Sequence, residues 1–359
     1  MQILTEPIGS IPRPVELVEG MKAFSSGDIK ADELDVLFER ALTDTIKRFE
    51  ASGSPVITDG EQTKPSFATY PLHGSRQLDP NGIVIPFADG HTRQLPKLSS
   101  GPFHYQVYAS DFYKRAAAMT SLPLKQAVIS ASALSLLYPG EGLEGYAREA
   151  FMADLCNEHE KDIRGSLAAG AYNVQIDFTE ARLSLKLDPS RGLLRHFIDV
   201  NNTVLNRLTP AERQRVGVHS CPGGDHDSTH SADIPYSELL PLLFELNATN
   251  FYLEYAGEYN KPQVLGAIKE SLRPGQRVFI GVIDVLSPRI ETPEEVRDLV
   301  LEASEYIPVA QLGTTDDCGF SPFADDLSTS RDIAFEKIRA RVAGTRLAEK
   351  ALEKMQIAL

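Results

Sequence analysis

The chain has 359 residues, 42% of them hydrophobic and 24% charged, which supports a large core and excludes a disordered chain. A net charge of −14 excludes nucleic-acid binding through a basic face, and no apolar run approaches the roughly 20 residues that cross a bilayer. Three cysteines, an odd number, and a start without the basic and apolar parts of a secretory leader fit a reducing, cytoplasmic setting rather than a disulfide framework.

Along the chain, short runs apolar on both faces alternate with longer amphipathic stretches. The short runs predict strands at Gln2–Thr5, Pro55–Thr58, Gln126–Ser130, Asn173–Asp177, Arg215–His219, Asn250–Glu254, Arg277–Asp284 and Ile307–Gly313. Helical patterns between them include Asp32–Ala51, Glu141–Ala169, Ser190–Leu208, Pro235–Asn247, Asn260–Ser271 and Pro293–Ser304. The last follows a Thr292 cap, with Pro293, Glu294 and Glu295 in its first turn. Eight strands alternating with helices predict an α/β fold, a single (β/α)8 TIM barrel. A doubly wound open sheet is the rival, but no Gly-rich phosphate loop follows an early strand. The spacing breaks once, between the second and third strands. An insertion over about residues 62–123, rich in Pro and Gly, is expected to form a hairpin arm over one barrel mouth or across a subunit contact. With no repeat and no linker, residues 1–359 are expected to form one domain.

In such a barrel the chemistry sits at the C-terminal strand ends. Those ends read Ile8-Gly9-Ser10, Asp59-Gly60-Glu61, Ser130, Asp177, His219-Ser220-Cys221, Glu254, Asp284 and Cys318. His219 and Cys221 fall on one face because side chains alternate along a strand. Two thiolates, an imidazole and a carboxylate make a four-coordinate Zn2+ site from His219, Cys221, Glu254 and Cys318, leaving Glu61 and Asp177 as acids nearby. So negative a ligand set activates water poorly, but suits stripping a substrate thiol of its proton and keeping it nucleophilic. S-alkylation is therefore the expected reaction. Plainer readings stand beside this one. The cysteines could be core residues, Glu254 a paired buried acid, and Glu61 and Asp177 helix caps. Cys156 reads as helical core, His226 and His230 as loop residues that help close the site, and Arg182 and Lys186 as holders of an anionic group or simply solvated.

These stretches, with Val174-Gln175-Ile176-Asp177, Leu253-Glu254, Gly281-Val282-Ile283-Asp284-Val285 and Cys318-Gly319, resemble the catalytic C-terminal barrel of the cobalamin-independent methionine synthases. That family shares a superfamily with uroporphyrinogen decarboxylase, and the resemblance covers nearly the whole chain. It implies zinc on His219, Cys221, Glu254 and Cys318, and a homocysteine S-methyltransferase of the 5-methyltetrahydropteroyltriglutamate type. It implies the Ile8, Gly9 and Ser10 turn at the amino acid's carboxylate, and Glu61 and Asp177 at its ammonium. Four departures concern the methyl donor. The chain is expected to correspond to the catalytic half, without the family's second barrel. Leu286 stands where the family has its catalytic histidine. Asp177-Phe178-Thr179 replaces Asp-Glu-Pro, and with no tryptophan to stack on a pterin, Tyr138 is the nearest aromatic. The donor is then a folate, a small methylated compound or a methyl-carrier protein; a homo-oligomer is compatible with the sequence. The alternative reading is a thiol alkyltransferase of the epoxyalkane:coenzyme M type, and a third is a catalytically silent zinc barrel.

Overall fold

Strands apolar on both faces must cover both, and seven of the expected runs do so as one parallel sheet flanked by helices. In the computed structural model, which describes residues 2–357, they are β1 (Leu4–Thr5), β2 (Gln126–Ile129), β3 (Val174–Asp177), β4 (Val216–Ser220), β5 (Asn250–Leu253), β6 (Arg277–Gly281) and β7 (Leu312–Thr315). Their order across the sheet is β1-β7-β6-β5-β4-β3-β2. The register sets Asp177 opposite His219, and His219 opposite Tyr252, so three strands end level. Val128, Ile176, Val218, Phe251 and Ile280 are buried in the main core beneath those ends.

The second expected strand, Pro55–Thr58, is reduced to a single parallel bridge between Ile57 and Leu124. Ile57 donates to Pro123 O at 3.0 Å and accepts from Lys125 N at 2.8 Å. On its other side the Thr58 hydroxyl donates to Gly9 O at 2.8 Å. Pro55 cannot donate to a ladder, and Gly60 and Glu61 turn the chain away in left-handed conformation, φ 63° and 55°. The last strand starts at Leu312, because Pro308 leads into a 3-10 turn over Val309–Gln311. The helix expected from Glu141 begins at Arg148, after Gly142 and Gly145 with φ 79° and 71°. Pro293–Ser304 has its expected bounds, with the Thr292 hydroxyl accepting from Glu295 N.

Within residues 62–123, Leu78–Asp79 pairs with Lys97–Leu98 and Val84–Pro86 with Thr92–Gln94, both antiparallel, making a hairpin arm. Its tip rests on a second small hairpin, Gly224–Asp225 with Ser228–Thr229, which follows β4. Ala88 N donates to Thr229 O at 2.9 Å and Asp89 N to Ser228 Oγ at 3.2 Å. The arm therefore lies beside the C-terminal strand ends. Among the described residues no helix is long and apolar enough to cross a membrane.

Candidate active site

His219 is the penultimate residue of β4, Cys221 follows the strand, and Cys318 lies just past β7. The structure brings the three together, all buried, with their ligand atoms within 4.8 Å of one another. The two sulfurs are 2.9 Å apart, and both cysteines are free. The hydrogen bond between them raises the Cys221 thiol well above its ordinary range and draws Cys318 well below it, so that one proton serves two sulfurs. His219 Nδ1 lies 3.2 Å from Tyr252 O. A carbonyl only accepts, so Nδ1 carries the proton and Nε2 keeps its lone pair. That Nε2 is buried and has no partner. An imidazole fixed through its far nitrogen, with its near nitrogen orphaned beside two sulfurs, fits a zinc ion.

Glu254 stands one residue past β5 but outside this cluster. Arg182 Nη1 donates to Glu254 Oε2 at 2.8 Å and to Glu258 Oε1 at 2.7 Å. Arg182 is thus neither solvated nor free for an anionic ligand. Glu254 and Cys318 nevertheless line one cavity, together with Asp284 and Leu286. Burial, then the neighbouring Asp317, push the Glu254 carboxyl well above its usual range. Asp317 was not singled out by the sequence reading. Its carboxylate accepts from the backbone N–H groups of Tyr255, Ala256 and Gly257 at 2.9, 2.9 and 2.6 Å, fixing the turn after Glu254 to the residue before Cys318. Gly281 makes room for it: a Cβ there would lie 1.9 Å from Asp317 Oδ1.

A small cavity of about 30 Å3 adjoins the cluster, lined by Ile8, Gly9, Ser10, Glu61, Asp177, His219 and Cys318 among others. Ser10 is tied to the Cys318 segment, since Phe320 N donates to Ser10 O at 3.1 Å and Ser321 N to Ser10 Oγ at 3.2 Å. Glu61 is buried and paired with Lys64 at 2.9 Å, a partner the sequence reading missed although it sits three residues on. Asp177 accepts from Gln175 Nε2 at 2.7 Å. Burial, then the Glu61 charge, raise its carboxyl to about 6.

Beside this lies a larger cavity of about 500 Å3 with mostly apolar walls, between the arm (Ile83 to Phe87) and the helix Glu180–Leu187. Tyr138 is not among its lining residues; it packs on Phe151, and its hydroxyl donates to Tyr146 O at 2.7 Å. His230 is buried and lines the cavity, whereas His226 lies at the turn of the small hairpin with Asp225 and Asp326 nearby. Lys186 is half-exposed and paired with Asp233. Cys156 is buried in the helix Arg148–Ala169, as expected.

Residues 3–330 match the family model described as "Cobalamin-independent synthase, Catalytic domain". The chain belongs to that family. Among its relatives, the methionine synthase of Sulfurisphaera tokodaii is 23% identical over 349 residues, covering 97% of this chain and 93% of that protein. The methionine synthase of Saccharolobus solfataricus is also 23% identical, over 98% of this chain and 96% of its own. In fold, the cobalamin-independent synthase chain is similar to a B12-independent methionine synthase from Shewanella sp. W3-18-1, solved with selenomethionine, at a TM-score of 0.77, 22% identity and full coverage of both chains. A putative B12-independent methionine synthase from Listeria monocytogenes gives a TM-score of 0.71 at 21% identity, over 96% of this chain and 98% of its own.

Proposed function

We propose that this synthase is a zinc-dependent S-methyltransferase that converts homocysteine to methionine. The observation that carries the reading is the cluster of His219 Nε2, orphaned and buried, with the sulfurs of Cys221 and Cys318. Zinc held there, with Glu254 as the fourth ligand, would lower the pKa of a substrate thiol and keep it nucleophilic at neutral pH. The Ile8, Gly9 and Ser10 turn would seat the amino acid's carboxylate. Asp177, and Glu61 beside it, would take the ammonium. Those acids speak against the sulfonate thiol that the epoxyalkane:coenzyme M reaction uses. The relatives' names and the selenomethionine in the Shewanella complex point the same way.

Ile57 and Thr58, bonded on both sides, close the sheet into a (β/α)8 barrel, and residues 62–123 are an insertion in one domain spanning 1–359. The enzyme works in the cytoplasm, with a homocysteine thiol and a separate methyl donor as its substrates.

Zinc-edge X-ray absorption of the purified protein tests the centre of this. Two sulfurs are expected at rest and a third when homocysteine is added. A zinc spectrum that homocysteine leaves unchanged overturns the thiol acceptor, and a protein that takes up no zinc overturns the metal site.

A further inference from the structure

The larger cavity shares Phe67, Thr179, Gly223 and Gly224 with the small one, so the two adjoin. Its polar equipment is narrow. Glu180 is buried among its walls, with Oε1 accepting from the hydroxyls of Ser130 at 2.6 Å and Ser132 at 2.5 Å. Oε2 has no partner at all. Ser132 is itself fixed by Asn201 Nδ2 at 2.7 Å. The cations of the lining are spoken for: Arg93 by Asp225 and Asp325, and Lys186 by Asp233 and His230 O. An anionic ligand would find no unpaired counter-charge among the described residues that line the cavity.

We propose that this cavity receives the alkyl donor as a molecule uncharged over its enclosed part, and that Glu180, as a neutral carboxylic acid, protonates the atom that gives up the alkyl group. The proposal rests on the thiol-transfer reading above. The step balances. The S–C bond forms as the bond from carbon to the leaving heteroatom breaks, the electron pair stays on the heteroatom, and the Glu180 proton joins it. The proton lost by the thiol on entering restores Glu180. A carboxyl whose one oxygen already takes two serine hydrogen bonds holds its proton on the other, here the unpartnered Oε2. Burial raises Glu180 to about 7, the serine bonds oppose this, and the Asp177 charge adds to it. His230 is held down to about 4 by burial and stays neutral near pH 7.

Three neutral-pH probes test this on the full chain, with no zinc or homocysteine added: naphthalene, quinoline (the same shape with one acceptor nitrogen) and 1-naphthoate. Calorimetry is expected to show naphthalene binding independent of pH and 1-naphthoate binding at least tenfold more weakly. Quinoline, which needs the Oε2 proton, should weaken about tenfold between about pH 6 and about pH 8. Glu180→Gln keeps an N–H donor at that place, so it should hold quinoline equally at both pH values, with naphthalene binding reporting that the variant is folded. Naphthoate binding as tightly as naphthalene, a pH-flat quinoline affinity in the natural protein, or a pH dependence that survives in Glu180→Gln each overturns the proposal. Because no thiol or metal takes part, such a failure leaves the homocysteine reading standing, whereas a failed zinc experiment removes the thiol transfer that Glu180 would serve and leaves the probe binding as measured.

Discussion

Asp177 is the acid best placed to meet an incoming ammonium. Glu61 beside it already has Lys64, whereas Asp177 has only the neutral Gln175 amide, and burial holds its carboxyl at about 6. A cation entering the small cavity would draw that value down, which means that binding expels a proton below about pH 6. Homocysteine affinity is therefore expected to be full above pH 7 and to fall as pH drops through 6. Asp177→Asn should bind homocysteine about 10- to 100-fold more weakly at neutral pH, in line with ~1.5–3 kcal/mol for a hydrogen bond to a charged group, and should lose the acid dependence. Calorimetry in zinc-loaded protein reads both. An unchanged affinity would remove Asp177 from the amine site. Residue by residue, the sequence exposes what periodicity exposes. His219 and Cys221 share a face by alternation, and Cys318 was visible as a scarce residue past an apolar run. Arg182 against Glu254 and Asp317 under the Tyr255 turn were not visible, since those side chains meet only after the strands are aligned, and Lys64 on Glu61 depends on the left-handed turn at Gly60 and Glu61.

At the scale of elements, parallel strands were legible because burial on both faces leaves an unbroken apolar run, and helix Pro293–Ser304 because its cap and first turn are written locally. The helix Glu180–Leu187 escaped notice. It follows β3 after two residues and is only eight residues long, too short a stretch for a helical period to stand out. The arm was legible as Pro- and Gly-rich chain, but its resting place was not. It is latched where Arg93 reaches the fully buried Asp225 at 2.5 Å and the more exposed Asp325 at 2.9 Å, while His91 bridges Asp89 and Asp225. Removing Arg93 would leave the buried Asp225 to His91, without its guanidinium partner, at a cost of about 3 kcal/mol. Arg93→Ala should therefore loosen the arm selectively. Amide exchange over residues 84–94 is expected to speed up by about 100-fold, with β3 to β5 unaffected. Uniform acceleration through the whole chain would mean that the latch supports the fold rather than the arm.

Across the whole molecule, buried carboxyls set the response to pH. Burial raises Asp162 to about 6, Asp177 to about 6 and Glu180 to about 7, against ordinary values of 3.8, 3.8 and 4.5. His91 moves upward as well: burial opposes the rise, but its hydrogen bonds to Asp225 and Asp89 prevail. Each group binds its proton more tightly folded than unfolded. The stabilisation they give is complete below their unfolded values and is lost as pH rises through the folded ones. For the carboxyls that loss runs from about pH 4 to about pH 7, and each tenfold gain in proton affinity on folding amounts to about 1.4 kcal/mol. The metal-free protein is thus expected to melt several degrees higher at pH 5.5 than at pH 7.5, as calorimetry would show. Zinc should narrow the gap, because ligand thiols release protons when they bind it, which makes its own stabilisation grow with pH. A metal-free protein that melts higher at pH 7.5 would mean these carboxyls are hydrated or paired in solution, and the dry, acid-bearing wall on which the donor proposal stands would go with them.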